Sequence, residues 1–494
     1  MKSPTPLINR LTRLSILLLF TIGGTAAAND TWVDFRAANG IGFPANPFNN
    51  FSNALQGTSA GGNIISKSSS TETPITINRS VTIKSDGGPT VLGIGLPQPV
   101  KQYNFTTHVL EPFFSFGYYI DTPTCSALPW SLLQAGRVNT VVMVDLTTDH
   151  DSCIRALLTG AQERGLKVIL GIHRVLLASV AIGNPTGYRD LKAFVESYRD
   201  DPALLGWMMG DENDGMHEHE PFLVPETVSN AASLIHSWDA YHQVWQVFGG
   251  VSPDGTSGHD LILPYLGGTD VMITDQYFET DSRSLFEGAD ATLFHVMNGR
   301  DFVAQGRAWG VVTQGVGPDT NEPDIPTQFR LPLPEEFRWN VLSALAAGRA
   351  RTVQAWTIPA PSQNWYSNYQ LLENFVSDGV GPVYAELGTI KHAMETGYRV
   401  GQVSVSSTNI GYRVPSSLLL YDSISTQYYL IVANVERAQL AVTITLSNLP
   451  VVPLATGADR YGHNMPITTT GNGVYTLQDS LTNHEAVIYR LPVQ

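Results

Sequence analysis

Three regimes of apolar patterning succeed one another along the chain. From about residue 31 to 95, short β-branched alternations such as "NIIS", "TPITI" and "SVTIKS" are separated by polar turn residues, which predicts several short strands. From about 112 to 396, apolar runs alternate with amphipathic stretches. The runs are "FFSFGYYI" (113–120), "VNTVVMVDL" (138–146), "LKVILGIH" (166–173), "LLGWMMGDE" (204–212), "QVWQVFGG" (243–250), "TDVMITDQY" (269–277), "AWGVVTQG" (308–315) and "RTVQAWTI" (351–358). Helix-like stretches such as "DSCIRALLTGAQERG" and "PEEFRWNVLSALAAG" separate them. After residue 400, "SLLLYDS", "YYLIVANV", "AVTITLS" and "EAVIYRLP" follow at hairpin spacing, which predicts a closing β-sandwich.

Near-continuous apolar strands imply burial on both faces, and strand-helix alternation requires right-handed parallel crossovers. Eight such units predict an α/β fold, a (β/α)8 TIM barrel. A doubly wound open sheet is disfavoured because no Gly-rich phosphate loop follows any strand. Ahead of these regimes, Lys2, Arg10 and Arg13 precede "LSILLLFTIGG" and "TAAAND", the pattern of a secretory signal. The expected organisation is a signal peptide (1–28), a β-rich N-terminal segment (29–97), the barrel (105–397) and the sandwich (398–494). A secreted protein, extracellular or periplasmic, is expected.

Charge and composition narrow the partners. A formal net charge of -15 argues against a polyanion, since nucleic-acid binders usually display a basic face, so an uncharged substrate is expected and no nucleic acid. No later segment offers ~18 uninterrupted apolar residues, so no membrane span is expected. The only cysteines, Cys125 and Cys153, can form a single bridge after export or remain two buried thiols. No metal or other cofactor is expected: His217, Glu218 and His219 lack the helical spacing of a metal site and read as loop polarity. "NFS" at Asn50, "NRS" at Asn78 and "NFT" at Asn104 fit the glycosylation acceptor pattern.

In a barrel of this kind the functional face is the C-terminal edge of the strands. Polar residues end the apolar runs at Asp121, Asp145, His173, Asp211, Glu212, Asp275, Tyr277, Gln314 and Trp356. Any one of them could serve only as a cap or a solvated strand end, but convergence from several strands is not explained that way. Trp207 lies before its strand end and reads as core, whereas Trp356 at the mouth offers a face on which a sugar ring can stack.

Two resemblances follow from these residues. "PFNNFSNAL", "GGNIISK" and "INRSVTIKSDGGPTVLG" resemble the opening coils of pectin-lyase-like β-helix proteins. "DDPALLGWMMGDEN", "DVMITDQYF" and "LPEEFRWNVLSALAAGRARTVQAWTI" resemble the glycosidase clan whose acid/base glutamate ends the fourth strand. That second resemblance implies a secreted glycoside hydrolase acting on an uncharged oligo- or polysaccharide. Glu212 would be its general acid/base, and Asp211 would tune that acid or bind a sugar hydroxyl. The strand ends offer Asp145, His173, Tyr277, Gln314 and Trp356 as candidate sugar contacts.

One position departs from the pattern. Gln314 stands where retaining members carry a nucleophilic glutamate, and an amide cannot form the glycosyl ester. Three alternatives remain open. A different carboxylate serves, Asp275 first and Asp145 next; or Asp211 and Glu212 act with the substrate's own acetamido group; or the chain is a non-catalytic carbohydrate-binding or cell-surface protein. An adhesin-like structural role for the N-terminal segment stands behind these.

Overall fold

The computed structural model describes residues 30–34, 40–67, 77, 79–86, 98–121, 128–181, 183–212, 223–249, 262–275, 307–315, 330–359, 369–396, 398–399, 401–409, 415–454, 458–460 and 462–493. The signal-peptide region, Asn78, Cys125, the 217–219 cluster and Tyr277 lie outside the described residues. The chain divides into two compact units, Met1–Gly93 and Ile94–Gln494.

In the first unit, β1 (Thr31–Val33), β2 (Asn63–Lys67) and β3 (Thr82–Asp86) form a parallel sheet in chain order. Val33, Phe51, Ala54, Leu55 and Ile64 make its small core. Phe51, Ala54 and Leu55 come from the helix Phe51–Gly57, whose N-cap Asn50 accepts a hydrogen bond from the Asn53 N–H at 2.8 Å. The described residues thus show a parallel sheet with one helix against it, and the β-helix expectation reaches no further than that.

The second unit opens with a hairpin of β4 (Val100–Asn104) and β5 (Val109–Phe113). Eight parallel strands then close on themselves: β6 (Ser115–Asp121), β7 (Thr140–Leu146), β8 (Lys167–Ile172), β9 (Leu204–Met208), β10 (Gln243–Phe248), β11 (Val271–Asp275), β12 (Ala308–Gln314) and β13 (Thr352–Pro359). Each coincides with one of the eight apolar runs, and the TIM barrel is the observed fold. Alternation sorts the side chains into two cores. Tyr119, Val142, Ile169, Trp245, Ile273 and Val312 meet in the lumen, whereas Phe116, Val141, Leu170, Val244, Met272 and Val311 join the larger core shared with the helices. Lumen crowding explains two glycines. A Cβ on Gly117 would lie 2.0 Å from the Thr140 carbonyl oxygen, and one on Gly206 would lie 2.2 Å from Trp245 Nε1.

The lower lumen carries polar side chains joined by hydrogen bonds. Gln354 Nε2 donates to Ser115 Oγ at 2.7 Å and to Thr352 Oγ1 at 2.9 Å, and Ser115 Oγ donates to Thr140 Oγ1 at 2.9 Å. The β4–β5 hairpin stops the N-terminal end: Val100 and Phe113 pack into the lumen cluster, and the Lys101 N–H donates to Gln243 Oε1 at 2.7 Å.

Trp207 is fully buried and faces outward, the β8–β9 pairing shifting register between Val168 and Ile169. Its indole N–H donates to Asp239 Oδ2 at 2.8 Å; Asp239 also pairs with His242 Nδ1 at 2.8 Å.

The chain ends in two antiparallel sheets, one of six strands containing β14 (Ser416–Asp422), β15 (Gln427–Ala433) and β17 (Ala486–Pro492), the other of four containing β16 (Leu440–Ser447). Leu430, Val432 and Tyr489 face Ile444, Leu446 and Leu477 between the sheets. The opposite face of the six-stranded sheet, with Leu418, Leu420 and Ile431, joins the barrel's helical core. Burial on both faces explains why β14 and β15 read as continuous apolar runs while β16 alternates. Trp339 Nε1 ties the helix Pro334–Ala346 to the Asn434 carbonyl at 2.8 Å, and Arg349 Nη1 donates to the Ser417 carbonyl at 2.7 Å.

Candidate functional site

The mouth of the barrel is built by strand parity. Val271 and Ile273 point into the lumen, so Asp275, two residues on, ends β11 on the same face, 4% exposed. Ala308 and Val312 likewise put Gln314 inward at the end of β12, 1% exposed. Trp356 is the register partner of Gln314 on β13 and packs against the lumen cluster. The Trp356–Thr357 peptide is cis, and the Gly315 N–H donates to the Trp356 carbonyl at 2.7 Å.

Asp211 and Glu212 follow β9 directly. The last ladder bond runs from the Met209 N–H to the Trp245 carbonyl at 2.9 Å, and the backbone then turns through Gly210 (φ 76°). Glu212 itself has φ 46°, a left-handed conformation that costs a non-glycine residue on the order of 1 kcal/mol. Such strain persists where the surroundings require a side chain in one place, and it gathers at functional sites. Both carboxylates are half-buried.

What joins these groups is a tyrosine within the apolar run of β6. Tyr119, fully buried at the upper end of β6, donates its hydroxyl to Met208 Sδ at 3.8 Å. Burial, and then the negative charges of Asp211, Asp275 and Glu212, hold its phenol well above the ordinary tyrosine range. Carboxylates from the ends of β9 and β11 therefore act on one hydroxyl from β6. The sequence did carry a signal: Tyr119 shares the parity of Ser115 and Gly117, the small lumen residues of the same strand.

Other strand-end residues are placed differently. Asp145 is exposed, with φ 59°, at a register shift between Met143 and Leu146, and it is not among the charges acting on Tyr119. His173 is half-buried; its Nδ1 accepts the Val175 N–H at 3.1 Å, which caps the helix Arg174–Ala181. Tyr277 lies outside the described residues. Among the described residues no group of three or more His, Cys, Asp or Glu could hold a metal ion, and no helix is long and apolar enough to cross a membrane. Cys153 is 6% exposed and disulfide-bonded.

Gln314 is fixed by its neighbours. Its Nε2 donates to the Arg330 carbonyl at 2.7 Å, and Arg330 forms a two-pronged pair with buried Glu336 at 2.6 and 2.7 Å. Glu336 in turn accepts the Leu333 N–H at 2.8 Å at the start of the helix Pro334–Ala346. A carboxylate at 314 would face a carbonyl oxygen, and relief would come only by keeping its proton. Gln314→Glu is therefore expected to lower stability by about 1–3 kcal/mol near neutral pH. A buried acid with a raised folded pKa contributes its penalty as pH rises, so urea midpoints should show a smaller deficit at pH 5 than at pH 8. An equal deficit at both would count against this geometry.

No family model and no curated protein matches the chain. Among solved structures, it is similar to a GH30 endoxylanase from Clostridium papyrosolvens C71 (TM-score 0.45, 12% identity, covering 81% of this chain and 98% of that one). It is similar also to a family 5 glycoside hydrolase from Bacteroides vulgatus ATCC 8482 (TM-score 0.47, 13% identity, 79% and 93%). A family 51 α-L-arabinofuranosidase from Bifidobacterium longum gives a TM-score of 0.46 at 12% identity, covering 80% and 97%. Similarities of this size carry no statement about chemistry, which has to rest on the residues at the barrel mouth.

Proposed function

We propose that the protein is a secreted glycoside hydrolase acting on an uncharged oligo- or polysaccharide, with Glu212 as general acid. The observation that carries the reading is the action of Asp211, Glu212 and Asp275 on one hydroxyl, that of Tyr119, at the C-terminal edge of a barrel stopped at its other end. Hydrolysis of a glycoside needs one carboxylic acid to protonate the leaving oxygen and a second group to supply or activate the nucleophile. Glu212 takes the first role and Asp275 the second. The Asp211 charge beside Glu212 disfavours loss of the acid's proton. Trp356 offers an aromatic face to the apolar face of a sugar ring. Gln314 stands outside the covalent chemistry, because an amide forms no glycosyl ester and its nitrogen is committed to Arg330.

That same commitment favours a second reading, a carbohydrate-binding protein on a barrel scaffold. The test is incubation with a broad panel of neutral glycans, measuring new reducing ends and the anomer first released by NMR. Release of reducing ends is expected. Inversion assigns Asp275 as the base, and retention confined to N-acetyl sugars assigns the acetamido route with Asp211. Binding by calorimetry without release from any glycan would overturn the enzyme and leave the second reading.

A further inference from the structure

The outer helical layer carries a cavity of about 660 Å³ that the barrel-mouth chemistry does not use. It lies between the loop that opens the helix Pro185–Tyr198 and one face of the helix Pro225–Trp238, the two helices on either side of β9. Its size is typical of a small-molecule site. Among the described residues none that lines it is charged, although the chain as a whole carries a net charge of -15.

Its chemistry has two parts. Tyr188 is 43% exposed, and its ring is braced edge-on by Trp238 at 5.2 Å between centroids and 83° between planes. With Leu234 it supplies an apolar surface of fixed orientation. The polar part comes from Asn184, Asn230, Ser233 and Ser237. Ser233 Oγ donates to the Ser229 carbonyl at 2.8 Å and Ser237 Oγ to the Leu234 carbonyl at 2.6 Å, so both hydroxyl oxygens are left to accept. The Asn184 carbonyl oxygen accepts the Thr186 N–H at 3.0 Å, which leaves its NH2 group to donate.

We infer that this cavity is a second carbohydrate-binding site, separate from the barrel mouth, for a neutral glycan that stacks on Tyr188 and exchanges hydrogen bonds with the serine and asparagine side chains. A neutral ligand with one apolar face and several hydroxyls satisfies every feature of the lining. Among the described lining residues an anion would find no cation, and a cation no carboxylate. The inference does not depend on hydrolysis at Glu212.

Native affinity electrophoresis tests it, in gels containing hydroxyethyl cellulose, arabinoxylan, galactomannan or laminarin, with mobility referred to a blank gel. At least one polysaccharide should retard the wild-type protein. Tyr188→Ala should raise the retardation Kd roughly three- to tenfold, the size of an aromatic stacking contribution. Tyr188→Phe, which keeps the ring, should bind like wild type. Circular dichroism melts of the Tyr188 variants should match wild type, since the side chain is exposed. Retardation unchanged in Tyr188→Ala, or no retardation by any of the four polysaccharides, would overturn the inference.

Discussion

Glu212→Gln should abolish hydrolysis by roughly 10²–10⁴-fold while leaving the melting temperature within a degree or two of wild type. The size follows from the role: a glutamine of the same shape can hold a hydrogen bond but has no proton to give to the leaving oxygen. Stability should be spared because the side chain is half-buried at a strand end, outside both apolar cores. The left-handed backbone at φ 46° is unchanged by the substitution, so its cost is common to both proteins. Activity assays and melts on the same preparation separate the two effects. Near-wild-type turnover would remove Glu212 from the chemistry.

The largest effect on stability is expected far from the mouth, at Asp239. The residue is 1% exposed and accepts four hydrogen bonds: from Trp207 Nε1 and His242 Nδ1, each at 2.8 Å, and from the N–H groups of Tyr241 at 3.0 Å and His242 at 3.1 Å. Asp239→Ala strands these donors behind the barrel wall, and breaking a buried pair of this kind costs about 3–5 kcal/mol. Burial raises the Asp239 pKa, but the His242 hydrogen bond and charge, with the bonds from Trp207 and Tyr241, outweigh it and hold the carboxyl below its usual value. A depressed folded pKa contributes stability that is present above the unfolded value, about 3.9, and is lost as pH falls through the folded one. The gap between wild type and Asp239→Ala in urea midpoints should therefore be full at pH 6 and shrink below about pH 4. A gap independent of pH would mean that the carboxylate's charge contributes nothing to the network.

The network also shows what the sequence could and could not reveal. That Trp207 belongs to a core was readable from its position within "LLGWMMGDE"; that it faces the helices depends on the register shift between β8 and β9, which no alternation rule anticipates. The eight barrel strands were legible because burial on both faces leaves long apolar runs. The inward direction of Asp275 and Gln314 was legible from parity once the barrel was assumed. The plugging hairpin was not, since "VKQYN" is mostly polar, "VLEPF" is broken by Glu111 and Pro112, and only Val100 and Phe113 reach the lumen. Asp145 and His173 share the strand-end pattern of Asp275, yet a register shift exposes the first and helix capping occupies Nδ1 of the second. Tyr119 was hidden for the opposite reason: an aromatic inside an apolar run looks like packing until the carboxylates around it are known.

The assignment of Glu212 as the proton donor is tested most directly by leaving-group dependence in the Glu212→Gln variant, once the glycan panel has identified the sugar. A 2,4-dinitrophenyl glycoside departs without protonation, whereas an alkyl or sugar leaving group cannot. The account predicts that the variant loses roughly 10²–10⁴-fold on the unactivated substrate and only a small part of that on the dinitrophenyl glycoside. Equal losses on both substrates would show that Glu212 does not supply the proton, and would contradict the account at its centre.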